Sequence, residues 1–260
     1  MILTNEKPLE NYVTDGGFCG IFHTIGVVGD SLSSGEFEST KEDGTKGYHD
    51  YYDYSWGQFI ARACGSRVFN FSRGGMSARW FNKSFGEECG FYKPENVCQC
   101  YIMALGVNDL CGAKIPVGDL GDLDKPDYDV DTNGTFAAEY ERILRKIKEM
   151  QPKARIFLIT MPRSGNAERD AISDAHAKLL YKFADAFEYT YVIDLYKYAP
   201  IYDDEFRKNF FLGGHMNAMG YLQTARFVMS YMDYIIRHNM EDFVQIGFVG
   251  TEFHNNFAKW

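Results

Sequence analysis

"HTIGVVGDS", residues 23–31, decides how the rest of the chain is read. An apolar run of small and β-branched residues ends abruptly in Gly29-Asp30-Ser31, the form of a buried strand that stops in a tight turn. The same form recurs in "RVFNFSRGG" (67–75), "VCQCYIMALGVND" (97–109), "ARIFLITMPR" (154–163) and "TYVIDLY" (190–196). Each run is bounded by Gly, Pro, Asn or Asp. Helical patterns lie between them. Ser55 with Gln58 forms a capping box ahead of "WGQFIARACG", and Gly65 suits the stop. Apolar stripes of helical period run through 135–150, 167–187 and 218–238. Strands that are apolar throughout and alternate with helices specify an α/β fold, with a parallel sheet covered on both faces.

The chain has 260 residues, 45% of them hydrophobic and 16% aromatic, enough for a sizeable core. With no repeat, low-complexity segment or linker in view, a single domain over 1–260 is expected. Its core covers about 24–238, with a lead-in at 1–22 and a tail at 241–260 that either adds an edge strand or makes an oligomer contact. The net charge of −9 argues against nucleic acid or an anionic membrane as partner, since both attract basic patches. No apolar run approaches the ~18 residues of a membrane helix. The first residues, "MILTNEKPLENYVTDGG", do not read as a signal peptide. A cytoplasmic protein is therefore expected, with a trimmed secreted chain as the alternative. The six scattered cysteines read as reduced thiols. The histidines are not spaced as metal ligands, so neither a metal nor a cofactor is expected.

In such sheets ligands bind beyond the carboxyl ends of the strands. The residues that the pattern puts there are Asp30 and Ser31, Arg73 to Gly75, Asn108 and Asp109, and Asp194, while His215 opens the last helix. A serine, a Gly-rich turn, an asparagine and a histidine brought to one edge are what acyl transfer needs: a nucleophile, a base and donors for an oxyanion. Taken singly, Ser31 reads as well as a helix cap, and Asp30, Asp109 and Asp194 read as turn-holding residues.

"GDSLSSG" (29–35), "GGMSAR" (74–79), "GVND" (106–109) and "GGHMNAMGY" (213–221) resemble, in order, the motifs of the SGNH (GDSL-type) hydrolases, over roughly residues 24 to 236. "GGMSAR" is similar to the corresponding stretch of rhamnogalacturonan acetylesterases. The resemblance implies a flavodoxin-like three-layer α/β/α fold and a serine esterase acting on small acyl esters, above all acetyl groups on carbohydrate. By position, Ser31 is the implied nucleophile and His215 the implied base. The implied oxyanion donors are the Ser31 and Gly75 N–H groups and the Asn108 side chain. An acyltransferase to a sugar hydroxyl, or a non-catalytic carbohydrate-binding module, remains open beside the esterase.

The chain departs from the family at Leu212, where the pattern has an Asp three residues before the histidine. Gly213 and Gly214 give the turn freedom to aim a carbonyl at the ring, so the expected acceptor for His215 Nδ1 is a main-chain carbonyl near Leu212. The alternative is a carboxylate from "YDDEFRKN", Asp203, Asp204 or Glu205, with Asp194 as a further candidate. "YHDYYDYSW" (48–56) carries five aromatics on what reads as a loop. Tyr52 and Tyr54 there are candidate sugar-facing rings, with sealing of the loop onto the domain as the equal alternative. Arg73 is a candidate for an acidic substrate group. His176 reads as a solvated position on a helix face.

Overall fold

The computed structural model describes residues 5–260; the first four residues of the expected lead-in lie outside the described residues. Nine strands run β1 (Thr24–Gly29), β2 (Glu36–Thr40), β3 (Lys46–Asp50), β4 (Arg67–Ser72), β5 (Cys100–Ala104), β6 (Arg155–Ile159), β7 (Thr190–Ile193), β8 (Phe211–Leu212) and β9 (His215–Met216) among the described residues. The main helices are α1 (Ser31–Ser34), α2 (Trp56–Cys64), α3 (Phe136–Met150), α4 (Ala167–Ala186), α5 (Asp204–Phe210) and α6 (Ala218–His238).

Five strands make the central sheet in the order β4-β1-β5-β6-β7, and the pairings are all parallel. This is the flavodoxin-like order that the family resemblance implies. β1 is central, flanked by β4 (Thr24 opposite Arg67) and β5 (Ile25 opposite Cys100). The chain reverses its direction of travel across the sheet there, so a crevice opens at the carboxyl end of β1. Ile25, Val27, Ile102 and Phe157 face a core shared with Ile60 of α2 and with Ala225, Val228 and Met232 of α6. Val28, Met103, Ile156 and Leu158 face the opposite core, with Ile143 and Ile147 of α3 and Leu180 and Phe183 of α4. Two apolar faces on every central strand are why these strands show no polar alternation.

The helix boundaries follow the caps. Ser55 Oγ accepts from Gln58 N at 3.2 Å, and Gly65 ends α2 at φ +67°. Thr135, Asn166 and Asn217 cap α3, α4 and α6 in the same way. The lead-in is tied down: Phe18 N donates to Asp233 Oδ1 of α6 at 2.9 Å, and Arg237 pairs with Glu6 at 2.7 Å.

Two expectations need correction here. The tail adds no edge strand, because β4 and β7 remain the sheet edges. It folds instead as short 3-10 turns that bury Phe243, Ile246 and Val249 against the core. The segment after Ser31 is not a loop but the antiparallel hairpin β2–β3, with Glu36 opposite Asp50 and Thr40 opposite Lys46. Among the described residues, no helix is long and apolar enough to cross a membrane.

Candidate active site

Ser31 follows β1 as the first residue of α1. The buried Asp30 carboxylate caps that turn by accepting Leu32 N at 3.0 Å. Burial pushes the Asp30 carboxyl up to about 7, with the neighbouring Asp109 adding to it. Asp109 itself, raised by burial to about 6, accepts Ala78 N with both oxygens at 3.1 Å and so pins the turn that follows β4. Asp194 is likewise structural, accepting from Lys197 N, Thr160 Oγ1 and Tyr181 Oη. The Gly75 backbone is left-handed, φ +70°, a conformation that favours glycine. Asn108 Nδ2 donates to Met76 O at 2.9 Å, which ties the amide to the same turn and leaves its second N–H free.

A cavity of about 680 Å³ at the carboxyl edge of the sheet brings Ser31, Asn108 and His215 onto one wall system, with Trp56, Ile159 and Met216 among its apolar lining. His215 opens β9 directly after the Gly213-Gly214 turn, across from Leu212. No hydrogen bond joins Ser31 Oγ to the imidazole in this conformation. The ring is bracketed by two carboxylates instead. Glu36 Oε1 lies 2.9 Å from Nε2, and Glu38 Oε2 lies 3.6 Å from Nδ1.

The expected acceptor is missing: Nδ1 is buried without a hydrogen-bond partner, and Glu38 faces it as a charge from beyond hydrogen-bond reach. No main-chain carbonyl accepts from Nδ1; Gly213 O accepts from Arg207 at 3.0 Å instead, and Phe210 O from Asn217 N at 2.9 Å. Leu212 is 47% exposed and offers no polar atom from its side chain. Asp203 caps α5 by accepting Phe206 N at 3.0 Å. Asp204 lines the cavity but forms no bond to the imidazole. The carboxylates come from β2, on the hairpin that reads as a loop in the sequence.

Glu36 and Glu38 are two residues apart on a strand, so both side chains take one face, toward His215. Phe37 takes the other and packs on Tyr51, Tyr54 and Tyr221 at centroid distances of 5.8, 5.7 and 5.6 Å. Tyr221 Oη, from α6, also donates to Glu36 O at 2.5 Å. Glu38 is held by Lys46 Nζ at 2.6 Å and by Gly214 N at 2.7 Å. The Lys46 ammonium, then the Gly214 N–H, keep its carboxyl below the usual carboxylate range. Glu36 is pushed the other way, chiefly by burial. Two glycines make room for the pair. A Cβ at Gly213 would stand 2.4 Å from Glu38 Oε1, and one at Gly74 would stand 2.2 Å from Glu36 Oε2. The sequence held one signal for this, the Glu-Phe-Glu alternation five residues after Ser31.

Gly75 and the remaining candidates lie outside the cavity lining. Tyr52 Oη donates to Val68 O at 3.2 Å, and Tyr54 packs on Phe37, so both seal the hairpin onto the domain. Arg73 pairs with Glu88 at 2.9 Å and lies over Phe85. Of the aromatics in 48–56, Trp56 lines the cavity, and Tyr48, 54% exposed, lies edge-on to His215 at 5.6 Å. His176 is not solvated. It is fully buried, accepts Met161 N at Nδ1 and meets Leu105 O through Nε2, and burial lowers it to about 4. Gly106, φ +143°, lets it approach, since a Cβ there would lie 2.8 Å from Nε2. Among the described residues no cluster of His, Cys, Asp and Glu is placed to hold a metal ion.

The sequence profile of the GDSL-like Lipase/Acylhydrolase family matches residues 27–222, three quarters of the chain. The chain belongs to that family. Membership makes this GDSL-like protein a carboxylic ester hydrolase. Its fold is shared with a possible lipase from Chitinophaga pinensis at 17% identity, covering 83% of this chain and 98% of that one, TM-score 0.57. It is also shared with a family two carbohydrate esterase from Clostridium thermocellum in complex with cellohexaose, at 13% identity, 92% and 67% coverage and TM-score 0.59. A family 3 carbohydrate esterase from the same organism matches at 13% identity, 83% and 97% coverage and TM-score 0.52. No curated protein matches the chain.

Proposed function

We propose that this GDSL-like protein is a serine esterase that removes short acyl groups, in the first place acetyl, from carbohydrate. The observation that carries the reading is the convergence of Ser31, Asn108 and His215 on one cavity, with a carboxylate on each side of the imidazole. Ser31 attacks the ester carbonyl and His215 takes its proton. The Ser31 and Gly75 N–H groups and the free Asn108 N–H hold the oxyanion, each donor of this kind being worth ~10²–10³ in turnover. His215 then protonates the leaving alcohol, and water releases the acyl-enzyme by the reverse sequence. Glu38, on the Nδ1 side, stabilises the imidazolium in place of the missing Asp. Glu36 occupies Nε2, so it must yield that nitrogen before Ser31 Oγ takes it. The sugar is supported by the exposed Tyr48 ring beside His215, which offers a flat apolar face, and by the fold shared with carbohydrate esterases.

The test is covalent. A fluorophosphonate should label Ser31, read by mass spectrometry, and Ser31→Ala should abolish both labelling and 4-nitrophenyl acetate hydrolysis. A folded wild-type protein that is neither labelled nor active on any short-chain ester overturns the reading.

A further inference from the structure

The chain carries a net charge of −9, yet the cavity is lined by three arginines, Arg163, Arg169 and Arg207. None of the three forms an ion pair among the described residues. Arg207 gives Nη2 to Gly213 O at 3.0 Å and lies over the Phe211 ring at 4.4 Å, so its position is fixed by a neutral acceptor and an aromatic face. Arg163 Nε is buried without any hydrogen-bond partner. Nearby acids make no ion pair with the group, although the Arg163 charge, after the Ser164 and Gly165 bonds, helps to hold the Asp170 carboxyl low. Asp170 is occupied by Ser164 N, Ser164 Oγ and Gly165 N at 2.7, 2.9 and 3.2 Å. Glu38 is paired with Lys46, and Glu36 is turned to His215. Two aspartates share the cavity wall, Asp204 and Asp30, the latter pushed up by burial to about 7.

An unpaired guanidinium with a buried N–H costs free energy unless an anion completes it. The Nε edge of arginine presents two parallel donors, which match the two oxygens of a carboxylate. Asp204 on the same wall subtracts from the positive field, which favours a monoanion over a phosphate dianion. We propose that the cavity selects esters that carry a carboxylate, received by Arg163 with Arg169 and Arg207. The proposal rests on the esterase reading, because it names the substrate class of the same site.

The carboxylate belongs either to the alcohol or to the acyl part of the ester, and two matched pairs of substrates separate these. One pair is an acetylated methyl glucuronoside against the acetylated methyl glucoside. The other is the 4-nitrophenyl monoester of succinate against 4-nitrophenyl pentanoate. In one pair kcat/KM should favour the charged ester by at least about tenfold. That ratio should fall toward one in Arg163→Gln and in the more exposed Arg169→Gln, and should shrink as salt rises. The pair that shows the preference identifies which side of the ester carries the charge. Ratios at or below one in both pairs, or ratios untouched by both variants, overturn the carboxylate site while leaving the esterase standing. If none of the four esters is cleaved and Ser31 is not labelled, the esterase reading itself fails. Binding by NMR to Ser31→Ala then decides the anion site alone: methyl glucuronoside and succinate bound no better than methyl glucoside and butanol overturn it.

Discussion

At the scale of single residues, the site turns on where His215 finds negative charge. Glu38 faces Nδ1 and is kept ionised by Lys46 and Gly214 N. Glu38→Gln keeps the size of the side chain and an acceptor for Gly214 N but removes the charge that stabilises an imidazolium. It should lower kcat by roughly 10²-fold or more with a smaller change in KM, measured by steady-state hydrolysis of 4-nitrophenyl acetate. Restoring the family residue by Leu212→Asp should bring no gain, since the Glu38 charge already faces Nδ1 at 3.6 Å and a third acid joins the two present. An increase in kcat/KM in that variant would show that Glu38 does not fill the role. Gly213→Ala combines an L side chain at φ +65° with a Cβ 2.4 Å from Glu38 Oε1. It should cost ~1–3 kcal/mol in urea unfolding and reproduce the activity loss of Glu38→Gln, because the carboxylate is pushed out of place.

At the scale of elements, the β2–β3 hairpin is the device that completes the site. Its base is closed by Tyr51 N donating to Gly35 O at 3.0 Å and by Ser34 Oγ donating to Asp50 Oδ1 at 2.7 Å. Phe37 fastens its inner face to Tyr221 of α6, while both glutamates look at His215. Phe37→Ala removes the fastening without touching any polar group of the site. It should reduce kcat several-fold and raise the proteolytic sensitivity of residues 40–46, leaving the far-UV circular dichroism unchanged, because the five-stranded sheet does not depend on the hairpin. Equal activity and protection in wild type and variant would mean that the hairpin is held by its base alone.

At the scale of the whole molecule, two carboxyls buried beneath the site couple stability to pH. Asp30, raised to about 7, and Asp109, raised to about 6, keep their protons in the folded state at pH values where the unfolded chain has lost them. Each therefore stabilises fully below the ordinary value of 3.8. That contribution is lost as pH rises through the folded-state value, with a slope of ~1.4 kcal/mol per pH unit and group. Asp30→Asn retains an acceptor for Leu32 N and abolishes the titration. The difference in unfolding free energy between variant and wild type should shift in favour of the variant between pH 4 and pH 7.5, as read by urea denaturation. A pH-independent difference would place the Asp30 carboxylate among the ionised, compensated groups. Glu38 contributes with the opposite sign, its stabilisation being present above its ordinary value and lost in acid.

The sequence by itself determined the α/β architecture and the strand-end positions of Ser31, Gly75 and Asn108. Continuous apolar runs that stop at Gly-Asp-Ser, Arg-Gly-Gly and Gly-Val-Asn-Asp fix strand, turn and helix through interactions a few residues long. The same local chemistry fixed α2, α3, α4 and α6, whose caps sit within three residues of the first turn. Only the tertiary structure decided what surrounds His215, because Glu36 and Glu38 reach it across nearly 180 residues of chain and no local pattern encodes that distance. The burial of His176 was hidden for a related reason: its partners, Leu105 O and Met161 N, belong to strand ends that meet α4 only once the sheet is closed. The roles of Tyr52, Tyr54 and Arg73 were decided in the same way, by neighbours that seal or neutralise them rather than by their own chemistry. Local sequence sets what a segment can become. Which carboxylate meets which histidine depends on packing between segments that are far apart in the chain.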